Sequence, residues 1–201
     1  IFSGNGASVG GFGEREEMFL ALGFETLHVN YRGYPASPGT PSEAGLVLDG
    51  LAIYEEALRT HSAERILVFG KSLGGGVAIA ALSGHPQPPA GLVIESSFKS
   101  IAAVAFRRFP ILPTGLLMRN PFDSLARAPA VGAPALVLHS QDDDLIPFSH
   151  GQALAQGLPD ARLVAFEGLD HNADLLAEVQ GRRALLAFLE EISLRKAPSK
   201  R

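Results

Sequence analysis

The run VFGKSLGGGVAIAAL, Val68–Leu82, decides how this chain folds. Its opening residues close an apolar stretch, RILVFG (Arg65–Gly70), of the length expected for a buried strand. Its later residues continue into LGGGVAIAALSG, small and apolar over a helix length that ends near Gly84. Between the two, Gly70-Lys71-Ser72-Leu73-Gly74 matches the pattern G-x-S-x-G. In a chain with 22 glycines that match alone is weak. The order around it carries more: strand, turn, helix. A sharp turn of this kind lifts a serine hydroxyl above the sheet and demands small neighbours, which Gly70, Gly74 and Gly75 supply. The helix start then sets N–H groups and a partial positive charge beside the serine, Leu73 N–H first among them.

Outward from this run the same alternation repeats. TLHVNY (Thr26–Tyr31), GLVIES (Gly91–Ser96), PALVLHS (Pro134–Ser140) and ARLVAFEG (Ala161–Gly168) read as further strands. A helical pattern over Ser42–His61 has Leu46, Leu48, Leu51, Ile53, Tyr54 and Leu58 as its apolar set. Pro41, Ser42 as N-cap and acidic Glu43 mark its start. Further helices follow Ser149 and fill Asp174 to about Leu194. Continuous apolar strands separated by helices imply a mostly parallel sheet with helices on both faces.

The 201 residues suit a single domain over 1–201, with the basic tail 195–201 frayed. Hydrophobic residues make up 46% and charged ones 19%, a composition that folds rather than stays disordered. A formal net charge of -4 gives no reason to expect nucleic acid as a partner. The absence of cysteine excludes disulfides, thiolate catalysis and cysteine metal sites, and accords with a cytoplasmic location. No run of apolar residues is long enough for a membrane helix.

One stretch breaks the rhythm. Phe98–Pro129 carries Pro110, Pro113 and Pro121, which forbid one long helix, and more apolar residues than a crossover needs. It reads either as a kinked crossover or as a small cap whose Phe106, Phe109, Leu112 and Leu116 line an acyl pocket. A membrane-surface role for this stretch has little support in its mixed pattern.

A serine nucleophile needs an oriented base. Acid loop HSQDDDLIP follows one strand and GLDHN follows the next, so the chain order is serine, acid, histidine, at the strand ends where open α/β sheets carry their sites. His171 is therefore the candidate base. His28 reads as core, His61 and His85 as helix-end residues, His139 as a strand end that shapes the site, and His150 as a helix start. No histidine spacing suits a metal. Spacing leaves Asp142, Asp143 and Asp144 equal as the acid, with those not chosen left to solvate the loop. Lys71, Glu95 and Lys99 read as surface residues or as outer neighbours of the pocket.

With YRGYPASPGTPSEAGLVLD, VFGKSLGGGVAIAAL, GLVIESSFKSI, RNPFDS, PALVLHSQDDDLIPFSHG and LDHN all in view, the chain resembles the α/β-hydrolase superfamily, and within it the branch that includes protein depalmitoylases. The resemblance implies Ser72 as nucleophile, Asp143 as acid and His171 as base. It puts oxyanion donors at Leu73 and at Asn5 or Gly6. Ser3 stands where the family has His, and Pro35 where the branch has Gly. The resemblance also implies two strands ahead of Ile1, which makes this a shortened form of the fold, and places 98–129 as a cap between the sixth and seventh strands.

The function expected from all this is hydrolysis of a carboxylic ester or thioester through an acyl-enzyme, on a small-molecule or acyl substrate, with no cofactor and no metal. A peptidase or amidase on the same fold, or a non-catalytic binding domain, is the alternative.

Overall fold

The computed structural model describes residues 1–2, 4, 13–35, 37–108 and 119–194. Its order of elements is α1 (Gly13–Ala21), α2 (Glu43–Thr60), β1 (Leu67–Lys71), α3 (Leu73–Leu82), β2 (Gly91–Glu95) and α4 (Ile101–Arg108). Then come α5 (Ser124–Arg127), β3 (Ala135–Ser140), α6 (Phe148–Gly157), β4 (Ala161–Phe166) and α7 (Val179–Leu194). The four strands lie side by side in chain order, every neighbour parallel.

Alternation along each strand splits the interior into two cores. Val68, Leu92, Ile94, Ala135 and Val137 face a cluster built with α2, α3 and α6 through Leu46, Tyr54, Val77, Ile79 and Leu154. Their sequence neighbours Phe69, Val93, Leu136 and Leu138 face the other way, onto Phe19 of α1 and Leu185, Phe188 and Ile192 of α7. A strand buried on both faces has no polar side to show, so these segments read as unbroken apolar runs. For the same reason α3 is apolar all round, with nine of its ten residues buried.

Close approach between β1 and α3 is what the glycines permit. A Cβ on Gly70 would lie 2.6 Å from Gly74 O and 2.8 Å from Gly75 Cα, so strand and helix touch backbone to backbone. On Gly75 it would lie 2.5 Å from Ser97 Oγ. Because no side chain can swing away from the first of these clashes, Gly70→Ala is expected to cost about 3 kcal/mol or more of unfolding free energy, the upper range for overpacking. Urea unfolding followed by circular dichroism measures it, and a loss under about 1 kcal/mol would mean that α3 can slide away from β1.

The start of α2 is capped as its sequence suggests, Gly45 N–H donating to Ser42 Oγ at 3.2 Å. Glu43 does more than favour the helix start. Its carboxylate accepts from Arg127 Nη2 at 2.6 Å and from Phe122 N–H at 2.8 Å, tying the segment that leads into α5 to the top of α2.

Two expectations need correction. Thr26–Tyr31 forms no regular strand. Among the described residues its backbone joins the sheet by way of Ile1–Phe2: Val29 N–H donates to Ile1 O, while Phe2 bridges to Gly70 of β1, and Val29 and Tyr31 pack into the core cluster with Val68. The last helix begins at Val179 rather than Asp174, because Asp174 Oδ1 takes the N–H groups of Leu176 and Ala177 in a turn of its own.

Candidate active site

Ser72 sits between the last residue of β1 and the first of α3, with φ 50° and ψ −116°. A non-glycine residue in such backbone costs about 1–3 kcal/mol and persists only where its surroundings hold it. Here the end of β2 and the loop just after it hold it from both sides. Ser72 N–H donates to Glu95 O at 2.8 Å, and Ser97 Oγ donates to Ser72 O at 2.8 Å. Leu73, as first residue of α3, carries an N–H that the helix itself cannot use.

His171 arrives from the loop after β4. Its Nε2 lies 3.1 Å from Ser72 Oγ and its Nδ1 lies 2.9 Å from Asp143 Oδ2. Asp143, in the loop after β3, is buried at 5% exposure. Burial pushes its pKa up, but hydrogen bonds from His171 and from Ile146 and Leu145 N–H, with the His171 charge, outweigh that and hold it below the ordinary carboxylate range. An ionised carboxylate only accepts, so Nδ1 of His171 carries the proton that faces it. In the neutral ring Nε2 is then the acceptor, and Ser72 Oγ–H donates to it.

The whole acidic run is turned toward the histidine loop. Asp142 Oδ2 accepts from Gly168 N–H at 2.7 Å, and Asp144 Oδ1 accepts from His171 N–H at 3.1 Å. The expectation that the outer two carboxylates merely solvate the loop is therefore corrected: they clamp its backbone while Asp143 holds its imidazole.

The other histidines divide by contact. His139 is fully buried, and burial foremost lowers its pKa; its Nε2–H donates to Ile146 O at 2.9 Å, on the far side of Asp143. His61 and His85 do not use their rings to cap helices: they face Glu25 and Glu55 instead. His150 lies inside α6, where its Nδ1 accepts from Lys99 N–H at 3.3 Å. Burial, then the charges of Lys99, His139 and Arg107, push its pKa down to about 4. The unfolded chain, with an ordinary imidazole near about 6.5, thus binds a proton before the folded one does. Its contribution is full above pH about 6.5 and is lost as pH falls from there through about 4. The Tm measured across that window should fall, and His150→Asn, which keeps an acceptor for Lys99 N–H, should flatten the slope to the share left by His139 and His28, whose pKa values burial also lowers. An unchanged slope would put the proton uptake elsewhere.

Gly4 passes beside the serine, a Cβ built on it lying 3.6 Å from Ser72 Cβ. Asn5 and Gly6 lie outside the described residues, as do Phe109, Leu112 and Leu116. Phe106, on α4, is 52% exposed. Among the described residues no group of three or more His, Asp or Glu could hold a metal, and no helix is long and apolar enough to cross a membrane.

Sequence reasoning missed one group of charges. Glu95, fully buried at the end of β2, bonds Arg15 of α1 at 3.0 Å and Lys71 at 2.9 Å. Arg15 also reaches Asp174 at 2.8 Å. An acidic residue ending an otherwise apolar strand was the available signal, since a buried carboxylate requires a partner.

A parallel sheet with helices on both faces and a serine on a strained strand-to-helix turn defines the class as the α/β-hydrolases. The chain belongs to the family described as serine aminopeptidase, S33, whose model matches residues 1–120, a span that includes Ser72 and stops before Asp143 and His171. It is similar to an uncharacterized protein of Mycobacterium tuberculosis (strain ATCC 25618 / H37Rv), 36% identical over 164 residues, 79% of this chain and 58% of that one. It is also similar to the lysophosphatidylserine lipase ABHD12 of Macaca fascicularis, 30% identical over 170 residues, 75% of this chain and 42% of the lipase. The chain thus spans about half the length of the curated relatives it matches. Among solved structures, the monoacylglycerol lipase of Paleococcus ferrophilus shares the fold at a TM-score of 0.68 and 20% identity, over 96% of this chain and 92% of that one.

Proposed function

We propose that the chain is a serine hydrolase that cleaves carboxylic ester or thioester bonds through an acyl-enzyme. The observation that carries this is the unbroken hydrogen-bond line from Ser72 Oγ through both ring nitrogens of His171 to Asp143. In this reading His171 Nε2 takes the Ser72 proton as Oγ attacks the carbonyl. Leu73 N–H and a donor at Asn5 or Gly6 hold the oxyanion, and the leaving alcohol or thiol takes the proton back from His171. Water then repeats the sequence on the acyl-enzyme. The carboxylate of Asp143 keeps the proton on Nδ1 and stabilises the imidazolium. Of the residues expected to line an acyl pocket, Phe106 lies among the described residues, exposed on α4.

The name of the lipase relative favours an ester, and the name of the matched family favours an amide bond as the second reading. One set of assays separates them: p-nitrophenyl esters from acetate to laurate, a palmitoyl thioester, and an aminoacyl p-nitroanilide. Labelling by a fluorophosphonate, mapped to its peptide, runs beside them. Ester or thioester turnover with label on Ser72 is the expected result. Anilide turnover alone would favour the peptidase. A folded protein that hydrolyses none of them and takes no label would be a binding domain.

A further inference from the structure

The loop that carries His171 has to keep the ring within hydrogen-bond reach of a serine 99 positions earlier in the chain. Asp142 and Asp144 hold that loop from the β3 side. On the other side, the residue directly before the serine holds it. Lys71 Nζ donates to Asn172 O at 3.2 Å and to Ala173 O at 2.6 Å, the two carbonyls that follow His171.

Lys71 is itself fixed. Its ammonium rests 2.9 Å from Glu95 Oε1, and the Lys71 side chain is only 16% exposed. The same carboxylate oxygen takes Arg15, whose guanidinium lies over the Phe69 ring, 4.6 Å from its centroid. Arg15 then continues to Asp174, three residues past His171. Two cations and two carboxylates make a neutral cluster, as a group this buried must be. Glu95 also accepts the Ser72 N–H through its backbone carbonyl. One strand end therefore fixes the turn that presents Ser72 through its backbone, and the loop that presents His171 through its side chain.

We propose that Lys71, braced by Glu95 and Arg15, is a positioning residue that sets His171 in register with Ser72. The proposal rests on the serine-hydrolase reading above. It assigns the first variable position of the G-x-S-x-G turn a task in the chemistry without contact to substrate. A register error of about 1 Å at a reacting pair costs on the order of 100-fold in rate, so even a partial release of the loop is measurable.

The test is the pre-steady-state burst of p-nitrophenol from the full chain, read as an acylation rate constant and a burst amplitude, with KM from the steady state. Lys71→Met should lower the acylation constant by about 30-fold at unchanged KM and unchanged amplitude per folded molecule. Lys71→Arg, which still offers donors to Glu95 and to the loop carbonyls, should recover most of that loss. A merely structural lysine would lower the amplitude and leave the constant per active site within twofold, and that result overturns the proposal. Should Lys71→Met fail to fold, Asp174→Asn releases the same loop from its more exposed end. It should lower the same constant about fivefold, and no change there overturns the proposal equally. A wild type without a burst would overturn the reading of Ser72 itself, whereas a normal wild-type burst with an unaltered Lys71→Met constant overturns the positioning role alone.

Discussion

Ser72→Ala is expected to lower kcat on a p-nitrophenyl ester by about 10⁶-fold and to abolish fluorophosphonate labelling, with the fold and the Tm essentially kept. The size of the loss follows from what remains. His171 and Asp143 would still face the site, but without Oγ no acyl-enzyme forms, and water would have to attack directly. Residual acceleration of about 10³-fold over the uncatalysed reaction is expected from oxyanion donors such as Leu73 N–H and from substrate binding. The Tm is expected to hold because Ser72 is fixed by its backbone, to Glu95 O and to Ser97 Oγ, and neither bond needs the hydroxyl. Relief of strain is small as well, since alanine must adopt the same positive φ of 50°. Activity within tenfold of wild type would place the nucleophile on another residue, and mapping of the label would find it.

Much of this architecture is legible from residues alone, for a definite reason. The strands β1 to β3 are buried on both faces, so each appears as an apolar run, while β4 is only partly buried and carries the exposed Arg162; glycines mark where α3 meets β1. Ser72, Asp143 and His171 could be singled out because each lies just past a strand end, and the parallel sheet brings those ends to one edge. The choice of Asp143 over its two neighbours came from family resemblance, and the contacts of Asp142 and Asp144 with the histidine loop were not foreseen. Nor was the charge cluster. Arg15 and Glu95 are 80 positions apart and Lys71 and Ala173 are 102 apart, distances at which no periodicity links one residue to another. Thr26–Tyr31 failed for the opposite reason. Its β-branched and aromatic composition suits a strand, but a strand also requires a partner paired along its length, and among the described residues its backbone bonds to a neighbouring segment are the two with Ile1.

Asp143→Asn is the sharper probe of the mechanism, because it changes one proton and leaves the shape of the site in place. Oδ1 of Asp143 accepts from Leu145 N–H at 3.0 Å and from Ile146 N–H at 2.7 Å. In the variant these two donors fix the amide with its oxygen toward them, which leaves the NH₂ group facing His171. The amide then donates to Nδ1, so the ring must carry its proton on Nε2, where it meets Ser72 Oγ and cannot accept from it. A fall in kcat of about 10⁴-fold is expected, from the wrong tautomer rather than from lost geometry. Folding gives a second, independent reading. Asp143 has its pKa lowered in the folded protein, so its contribution to stability is full above the ordinary carboxylate value of about 3.9 and is lost as pH falls through the folded value. The variant lacks that ionisation, and its Tm should decline less steeply than that of the wild type as the solution is acidified below pH about 4. A variant with nearly full activity and an unchanged acid limb would mean that another of the three consecutive carboxylates orients His171. Reduced activity with an unchanged acid limb would mean that the carboxylate matters to the imidazolium alone and adds nothing to the fold.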